Sequence, residues 1–507
     1  MPDPSKNNRQ TIRSTKNAPM PQRGVSRPTH KSATDNKKDN DQQEKYEKLK
    51  EHHANTLWVY WMLMLLGIWL LLSPVTFSYA QNTVLPAGGR SVWLPLKDRV
   101  NFFIWNDIVS GALLIFFSLR ALSPRNTFSL WACCLIGIWL SIAPVIFWAP
   151  SAFIYMNDTM IGILVMSLSI LIPGMPGMVL YMKMGANTPD GWSYNPSSWP
   201  QRGIMIATGF LGFVVSRYLA AYQLGYINHI TDPFFGAQSE QVLTSSMSRS
   251  LPVSDAALGA LAYTFEFLMG WMGGPARWRT MPWMVCFFGI LVIPLGLVHI
   301  FLVISQPITV GAWCTYCLLA AAVMLPMIPL EVDEVIAMGQ HIVQARRNGE
   351  RFWPVFWKGG TPVSKQMDER TEPMHHFHAK PVKVSASSVW GMRAPWTLLS
   401  SMFLGIYLMF APAQFNINIQ APIADLNHLC GALIVVVSVI SMAEVIRTSR
   451  FANILTGLCL AVLPWLINNP SLTLSIIDTI AGCTVIALAI PRGSIKERYG
   501  LWDKYIR

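Results

Sequence analysis

Long apolar runs separated by short polar joints dominate the chain. A helix crossing roughly 30 Å of hydrocarbon needs about 17–25 residues. About twelve such runs can be placed, centred on residues 57–77, 107–122, 128–148, 158–181, 203–224, 256–273, 282–304, 310–330, 396–413, 425–445, 451–467 and 473–490. The pattern predicts an all-α, polytopic membrane protein with about twelve transmembrane helices.

Composition points the same way. Hydrophobic residues make up 52% of the chain and charged residues 13%, with a positive mean hydropathy, far from the quarter charged of a soluble domain. The net charge of +12 raises the question of nucleic acid, but residues 1–50 alone hold 12 Lys and Arg against 6 Asp and Glu, half of the excess. Low hydrophobicity, scattered Pro and Lys and the lack of an apolar period make this segment a disordered basic tail. Few aromatic residues stand there to stack on bases, which argues against nucleic acid. Attraction to anionic membrane lipid, with the N-terminus held in the cytoplasm, is the simpler role. No signal peptide is expected, because the first apolar run begins at Leu57.

With the tail inside, the even-numbered spans end in the cytoplasm. The loops that follow carry Arg120 and Arg125, Lys183 and Arg202, Arg277 and Arg279, Arg346, Arg347 and Arg351, and Arg447 and Arg450, as the excess of basic residues on that side requires. The loop of residues 78–105, with Arg90, Lys97 and Arg99, is the exception. Both termini are therefore expected in the cytoplasm, at a bacterial inner membrane.

The chain repeats itself. Gly67-Ile68-Trp69-Leu70-Leu71-Leu72-Ser73-Pro74 recurs as Gly137-Ile138-Trp139-Leu140-Ser141-Ile142-Ala143-Pro144 and, more loosely, as Gly405-Ile406-Tyr407-Leu408-Met409-Phe410-Ala411-Pro412, with an eroded copy at Gly457 to Pro464-Trp465. After each comes a span with an acid or amide four residues before a glycine: Asp107 and Gly111, Asp158 and Gly162, Asn427 and Gly431, Asp478 and Gly482. Proline is expected to end the first helix, the Asp or Asn to cap the second, and the glycine to let the two approach closely. The unit is thus an outward-then-inward hairpin, present twice before residue 182 and twice after 395. It resembles the SPW repeat family of membrane proteins, whose Ser-Pro-Trp signature survives as Ser73-Pro74 and Pro464-Trp465; the resemblance implies no chemistry.

Candidate chemistry lies at Cys314-Thr315-Tyr316-Cys317. Among eight cysteines in 507 residues the spacing alone is a weak signal, but this pair opens the apolar run 318–330, and a thiol at a helix N-terminus can have its pKa lowered toward the reactive thiolate. The topology places it on the extracytoplasmic, oxidising side. Cys133, Cys134, Cys286, Cys430, Cys459 and Cys483 lie in apolar stretches without metal-ligand spacing and read as packing residues. His375-His376-Phe377-His378 lacks a Cys or paired carboxylate to complete a metal site and reads as a solvated loop, so no metal is expected.

The four spans around this pair resemble the vitamin K epoxide reductase family. Gln238-Ser239-Glu240-Gln241-Val242-Leu243-Thr244-Ser245 is similar to that family's Cys-Glu-x-Val-Leu-x-Ser loop with the cysteine replaced; Pro252-Val253-Ser254 leads into Leu258-Gly259-Ala260-Leu261-Ala262-Tyr263 as the family enters its second helix; and the family's active-site pair opens its fourth helix, as Cys314 and Cys317 do here. The resemblance implies a four-helix bundle in which the pair passes two electrons to a quinone of ubiquinone or menaquinone type. Cys317 would face the quinone and Cys314 would exchange with a thiol. In the family, two loop cysteines relay electrons from a thioredoxin-fold partner. Here no cysteine stands between Leu224 and Ala256, and Ser239 occupies the relay position, so either an extracytoplasmic partner thiol reaches Cys314 directly or the redox cycle is lost. For the quinone pocket, Ala321 stands where some relatives carry a tyrosine; Tyr263 and Glu266 are the candidate residues, with His299 nearby. An acid such as Glu266 within an apolar helix is costly and hence a functional candidate, against the plainer reading of a protonated acid joining helices.

The chain therefore divides into a disordered basic cytoplasmic tail (1–53), SPW-type repeats 1 and 2 (54–182), a central four-helix bundle (200–330), a cytoplasmic linker (331–395), repeats 3 and 4 (396–492) and a cytoplasmic tail (493–507). A Trp/Pro/Ser-rich stretch, 190–200, is expected at the membrane interface. Three functions are compatible with this plan: a membrane thiol-quinone oxidoreductase, a catalytically degenerate scaffold or assembly protein, and a transporter or channel. The last is disfavoured because the repeats share one orientation, with no inverted halves, and charges inside the spans are few.

Overall fold

A computed structural model of the chain describes residues 51, 53–123, 126–171, 185, 187–361, 364, 366–368, 370, 380–418, 420–467 and 471–506. The basic tail and His375, His376 and His378 lie outside the described residues. Among the described residues the chain is helical and strand-free. Among these residues eleven helices are long and apolar enough to cross a membrane.

The N-terminal four are α1 (Leu57–Thr76), α2 (Leu96–Ala121), α3 (Thr127–Ile146) and α4 (Ala152–Leu171). The central bundle consists of α5 (Trp199–Gln223), α7 (Asp255–Trp271), α8 (Pro282–Thr309) and α9 (Thr315–Arg347), with the short α6 (Gln238–Thr244) in the loop after α5. Although α7 has only 17 residues, it packs along α5 within the bundle and completes the set of twelve. The C-terminal four are α10 (Trp396–Gln414), α11 (Pro422–Ile440), α12 (Ala452–Leu466) and α13 (Leu472–Ala489). Ser254 caps α7 by accepting from the Ala257 N–H at 3.1 Å, and Ser471 caps α13 through Leu474 N–H at 3.3 Å. In α8, Pro294 lacks a backbone N–H, and the helix widens into a π-turn over Leu291–Leu295.

The hairpins fold as the repeat demands. Pro74, Pro144, Pro412 and Pro464 each lie two residues before the last residue of their helix. Ser78, Trp148 and Asn416, each four residues after the proline, take φ of 46°, 52° and 51°, a left-handed stop that ends the helix and turns the chain back. The paired glycines cross face to face: a Cβ on Gly111 would lie 2.7 Å from the Gly67 carbonyl oxygen, one on Gly162 2.7 Å from that of Gly137, one on Gly431 2.5 Å from that of Gly405 and one on Gly457 2.7 Å from that of Gly482. No side chain fits there, so glycine lets the helix backbones touch.

Two hairpins form each flanking four-helix group, α1 to α4 on one side and α10 to α13 on the other, and the central bundle meets the first through α7 and the second through α8 and α9. Three of the joints expected outside meet, where Arg90 donates to the carbonyls of Ser248, Leu251 and Val253, and Trp148 Nε1 to that of Pro252 at 3.0 Å.

Several expectations need correction. Asp107, Asp158, Asn427 and Asp478 do not cap their helices: they lie inside α2, α4, α11 and α13, fully buried, while Pro95, Ala421 and Ser471 hold the N-cap positions of α2, α11 and α13. Helix α2 begins at Leu96, eleven residues before Asp107, because Pro95 gives it a start and its first turns, with Lys97, Asp98 and Asn101 exposed, add a polar extension before the apolar run. The linker expected at 331–395 opens as helix, since α9 continues to Arg347. In the stretch 190–200, Trp192, Tyr194, Asn195, Ser197 and Ser198 are buried within the protein, with Trp192, Tyr194 and Ser197 bonded to Gln340, Asp333 and Glu334 of α9.

Candidate functional site

Cys314 and Cys317 form a disulfide at the first turn of α9, with Cα atoms 5.2 Å apart. Cys314 is the N-cap residue, and its sulfur accepts the Cys317 N–H at 3.1 Å. The spacing works because a helical turn brings residues three apart onto one side. Cys314 is 0% and Cys317 8% exposed, within an apolar cluster that includes Leu219, Tyr222, Val242, Leu243 and Val303. The other six cysteines are free thiols, buried to varying degrees except for the exposed Cys483.

The loop between α5 and α7 covers the pair. Asp232 is its pivot: the carboxylate accepts the Phe234 and Phe235 N–H groups at 2.9 Å each, the Ser239 hydroxyl, the Thr315 N–H at 3.2 Å and the Thr315 hydroxyl at 2.5 Å. Partial burial works to raise its pKa, but the Phe235 N–H, the Ser239 and Thr315 hydroxyls and the Phe234 N–H outweigh it and hold the carboxyl well below the usual carboxylate range. Ser239, at the position of the relay cysteine, is thus tied to the motif through a charge. Around it, the Tyr316 hydroxyl donates to Thr231 O at 2.7 Å, the Trp313 N–H to Gln238 Oε1 at 3.0 Å, and Phe235 stacks on Trp313 at 6.0 Å. Trp313 also meets the edge of His428 from α11 at 5.0 Å.

One turn below the pair, the Tyr263 hydroxyl donates to the Ala320 carbonyl at 2.8 Å, and its ring meets His299 at 6.0 Å. Glu266 follows on the same helix, roughly 4–5 Å deeper by helical rise. It is 0% exposed, and neither carboxyl oxygen has a hydrogen-bond partner. A protonated carboxyl there is an unused donor, suited to a carbonyl oxygen. The structure therefore brings Tyr263 against His299 and against the helix that Cys314 and Cys317 open, whereas Glu266 lies a turn further along α7 with no hydrogen-bond partner. Among the described residues no group of three or more His, Cys, Asp or Glu is placed to hold a metal.

A second polar node lies within the first hairpin pair and holds Asp107 and Asp158, two of the expected caps. The Tyr79 hydroxyl donates to Asp107 at 2.5 Å and the Ser73 hydroxyl at 3.1 Å; the Asn106 amide spans Asp107 at 3.2 Å and Asp158 at 3.4 Å. Trp69 donates to Asn157 at 2.9 Å, and Trp139, its repeat counterpart, to Asn106 at 2.7 Å. At the opposite end of the bundle, Arg277 grips Glu334 of α9 with two bonds of 2.7 and 2.6 Å, and the Ser197 hydroxyl adds a third. Asp232 itself carried no sequence signal beyond standing seven residues before Ser239.

Residues 203–332 match the family model described as Vitamin K epoxide reductase family, and residues 57–172 and 395–491 match the SPW repeat domain. No curated protein and no solved structure matches the chain. The protein is an all-α, multi-pass membrane protein that carries a vitamin K epoxide reductase family domain between two sets of SPW repeats.

Proposed function

From the family domain and its paired sulfurs, we propose that this protein is a membrane thiol-quinone oxidoreductase. The observation that carries the reading is the Cys314–Cys317 disulfide at the N-terminus of α9, in the domain that matches the family. An extracytoplasmic dithiol reduces the Cys314–Cys317 bond: its thiolate attacks Cys314, Cys317 leaves and takes up a proton, and resolution of the mixed disulfide yields an oxidised donor and two protein thiols. Closing the Cys314–Cys317 bond again would release two electrons and two protons, for which a quinone of ubiquinone or menaquinone type would be the acceptor. When bound, the quinone supplies a two-electron acceptor. Glu266, as an unpartnered buried acid, would donate a hydrogen bond to a carbonyl oxygen, and Tyr263, one turn earlier on the same helix, holds α7 against α9.

With no relay cysteine between Leu224 and Ala256, the donor, of thioredoxin fold, exchanges with Cys314 itself. The burial of Cys314 requires the α5–α7 loop to move aside for that exchange. The pair faces the extracytoplasmic side of a bacterial inner membrane in this reading, and both termini are cytoplasmic. The same Ser239 favours a second reading, in which the bundle is a degenerate scaffold.

The test is turnover by purified protein. Reduction of quinone by an added dithiol, lost in the Cys314→Ser, Cys317→Ser double variant while the protein still folds, supports the oxidoreductase. Thiols whose alkylation never responds to quinone, together with full cellular function of the double variant, would leave the scaffold.

A further inference from the structure

Asp232 is bonded to the reactive motif, and no Lys or Arg pairs with it among the described residues. It occupies the Thr315 N–H, one of the open amides at the start of α9 that would otherwise favour a thiolate. Opposing it, the Cys317 N–H points at the Cys314 sulfur. The other ionisable groups near the pair are the Tyr218 and Tyr222 phenols of α5, the Tyr226 phenol and the Glu240–His229 pair of the loop, the latter bonded to each other at 2.5 Å, the Tyr316 phenol of α9, and His428 of α11, which meets Trp313 at 5.0 Å. A permanent negative charge seated against the first residue after Cys314 penalises a second one on the sulfur.

We propose that Asp232 is a positioning residue for the thiol reaction: its charge, fixed on the Thr315 amide and hydroxyl, keeps the reduced pair as neutral thiols and repels incoming anions. Ser239 adds the mechanical half, holding α6 over the pair through the same carboxylate. The inference rests on the oxidoreductase reading and deepens it. A donor whose reactive sulfur lies beside a cation offsets the repulsion, whereas a small anionic thiol does not. Two electrons and two protons convert the disulfide to the dithiol, and Asp232 exchanges neither.

The experiment uses the full-length protein in detergent, reduced with dithiothreitol, with alkylation of Cys314 and Cys317 followed by mass spectrometry from pH about 6 to about 10. Asp232→Asn is expected to move the reactive midpoint about one unit toward acid, so that neutral iodoacetamide reacts up to about ten-fold faster near pH 7, and to favour anionic iodoacetate further still. Asp232→Glu restores the wild-type profile. Ser239→Ala speeds both reagents alike at every pH without moving the midpoint; Asp232→Ser replaces Asp232→Asn if the latter does not fold. An unmoved midpoint and an unchanged iodoacetate-to-iodoacetamide ratio in the charge-free variant overturn the proposal. Absent quinone turnover with a shifted profile sinks the oxidoreductase reading alone, and turnover with an unshifted profile sinks this one alone.

Discussion

Asn427 donates its amide to the Asp478 carboxyl at 2.9 Å, deep between α11 and α13, at the positions that Asp107 and Asp158 hold between α2 and α4. The two pairs are counterparts in the repeat, so the C-terminal one shows which chemistry the contact tolerates. An amide and an acid suffice, provided one partner donates.

Asp107→Asn is therefore expected to fold nearly as well as the parent, because the amide still accepts from Tyr79 and Ser73 through its oxygen. Asp107→Leu removes that acceptor and strands the Tyr79 hydroxyl in a water-free interior, while Ser73 keeps the Leu70 carbonyl at 2.7 Å, at a cost of about 1–3 kcal/mol. Thermal unfolding of both variants in the same detergent checks the contrast; equal losses would show that the aspartate charge itself is required.

The repeat was legible as a hairpin because proline and glycine act locally: a missing N–H and a missing Cβ have the same effect wherever they fall. The acid was misread for a related reason. Asp and Asn near the start of an apolar run look alike whether they accept from the first free N–H groups or from a neighbouring helix, and only packing decides. Asn106 and Asn157 offered a clue, since an adjacent amide serves no cap. The Cys314–Cys317 pair was visible through its position at a helix start, whereas Asp232 was not, because a loop's path over a bundle is set by contacts far apart in sequence. The burial of the polar stretch 190–198 was hidden for the opposite reason: its groups are satisfied internally, by Glu334 on Ser197 and Asp333 on Tyr194, so it could be buried despite its composition.

Arg277 and Glu334, both almost fully buried, make a contrast of another kind. Arg277→Met alone leaves the Glu334 charge with only the Ser197 hydroxyl and is expected to cost about 3–5 kcal/mol, whereas Arg277→Met with Glu334→Leu comes back toward the parent. A double-mutant cycle by denaturant or thermal unfolding measures the coupling, and additive losses would contradict it.

The C-terminal segment gives a pH dependence of defined sign. Burial works to raise the Glu497 pKa, but the Arg370 guanidinium at 2.7 Å and the Ser193 hydroxyl prevail and hold it below the usual range. A carboxylate depressed on folding stabilises the docked form above its unfolded pKa and loses that contribution as pH falls through the folded value. Hydrogen exchange in residues 493–506 should therefore be slow at neutral pH and rise on acidification, after correction for intrinsic rates. Glu497→Gln should show the faster exchange already at neutral pH and lose the acid-dependent step.

Glu266 separates the two readings of the bundle most directly. A buried acid without a partner costs stability, so a scaffold would gain from its removal, and Glu266→Leu should then raise the melting temperature and change nothing else. In an oxidoreductase the same substitution removes the donor to the quinone carbonyl and should lower quinone-dependent turnover by about ten- to a hundred-fold or more, while dithiol reduction of the Cys314–Cys317 bond proceeds at the parent rate. Glu266→Gln, whose amide still donates, should keep most of that turnover. Steady-state turnover, single-turnover thiol titration and thermal unfolding on the three proteins give the full pattern; a stabilised Glu266→Leu variant with undiminished turnover would remove this acid from the quinone site.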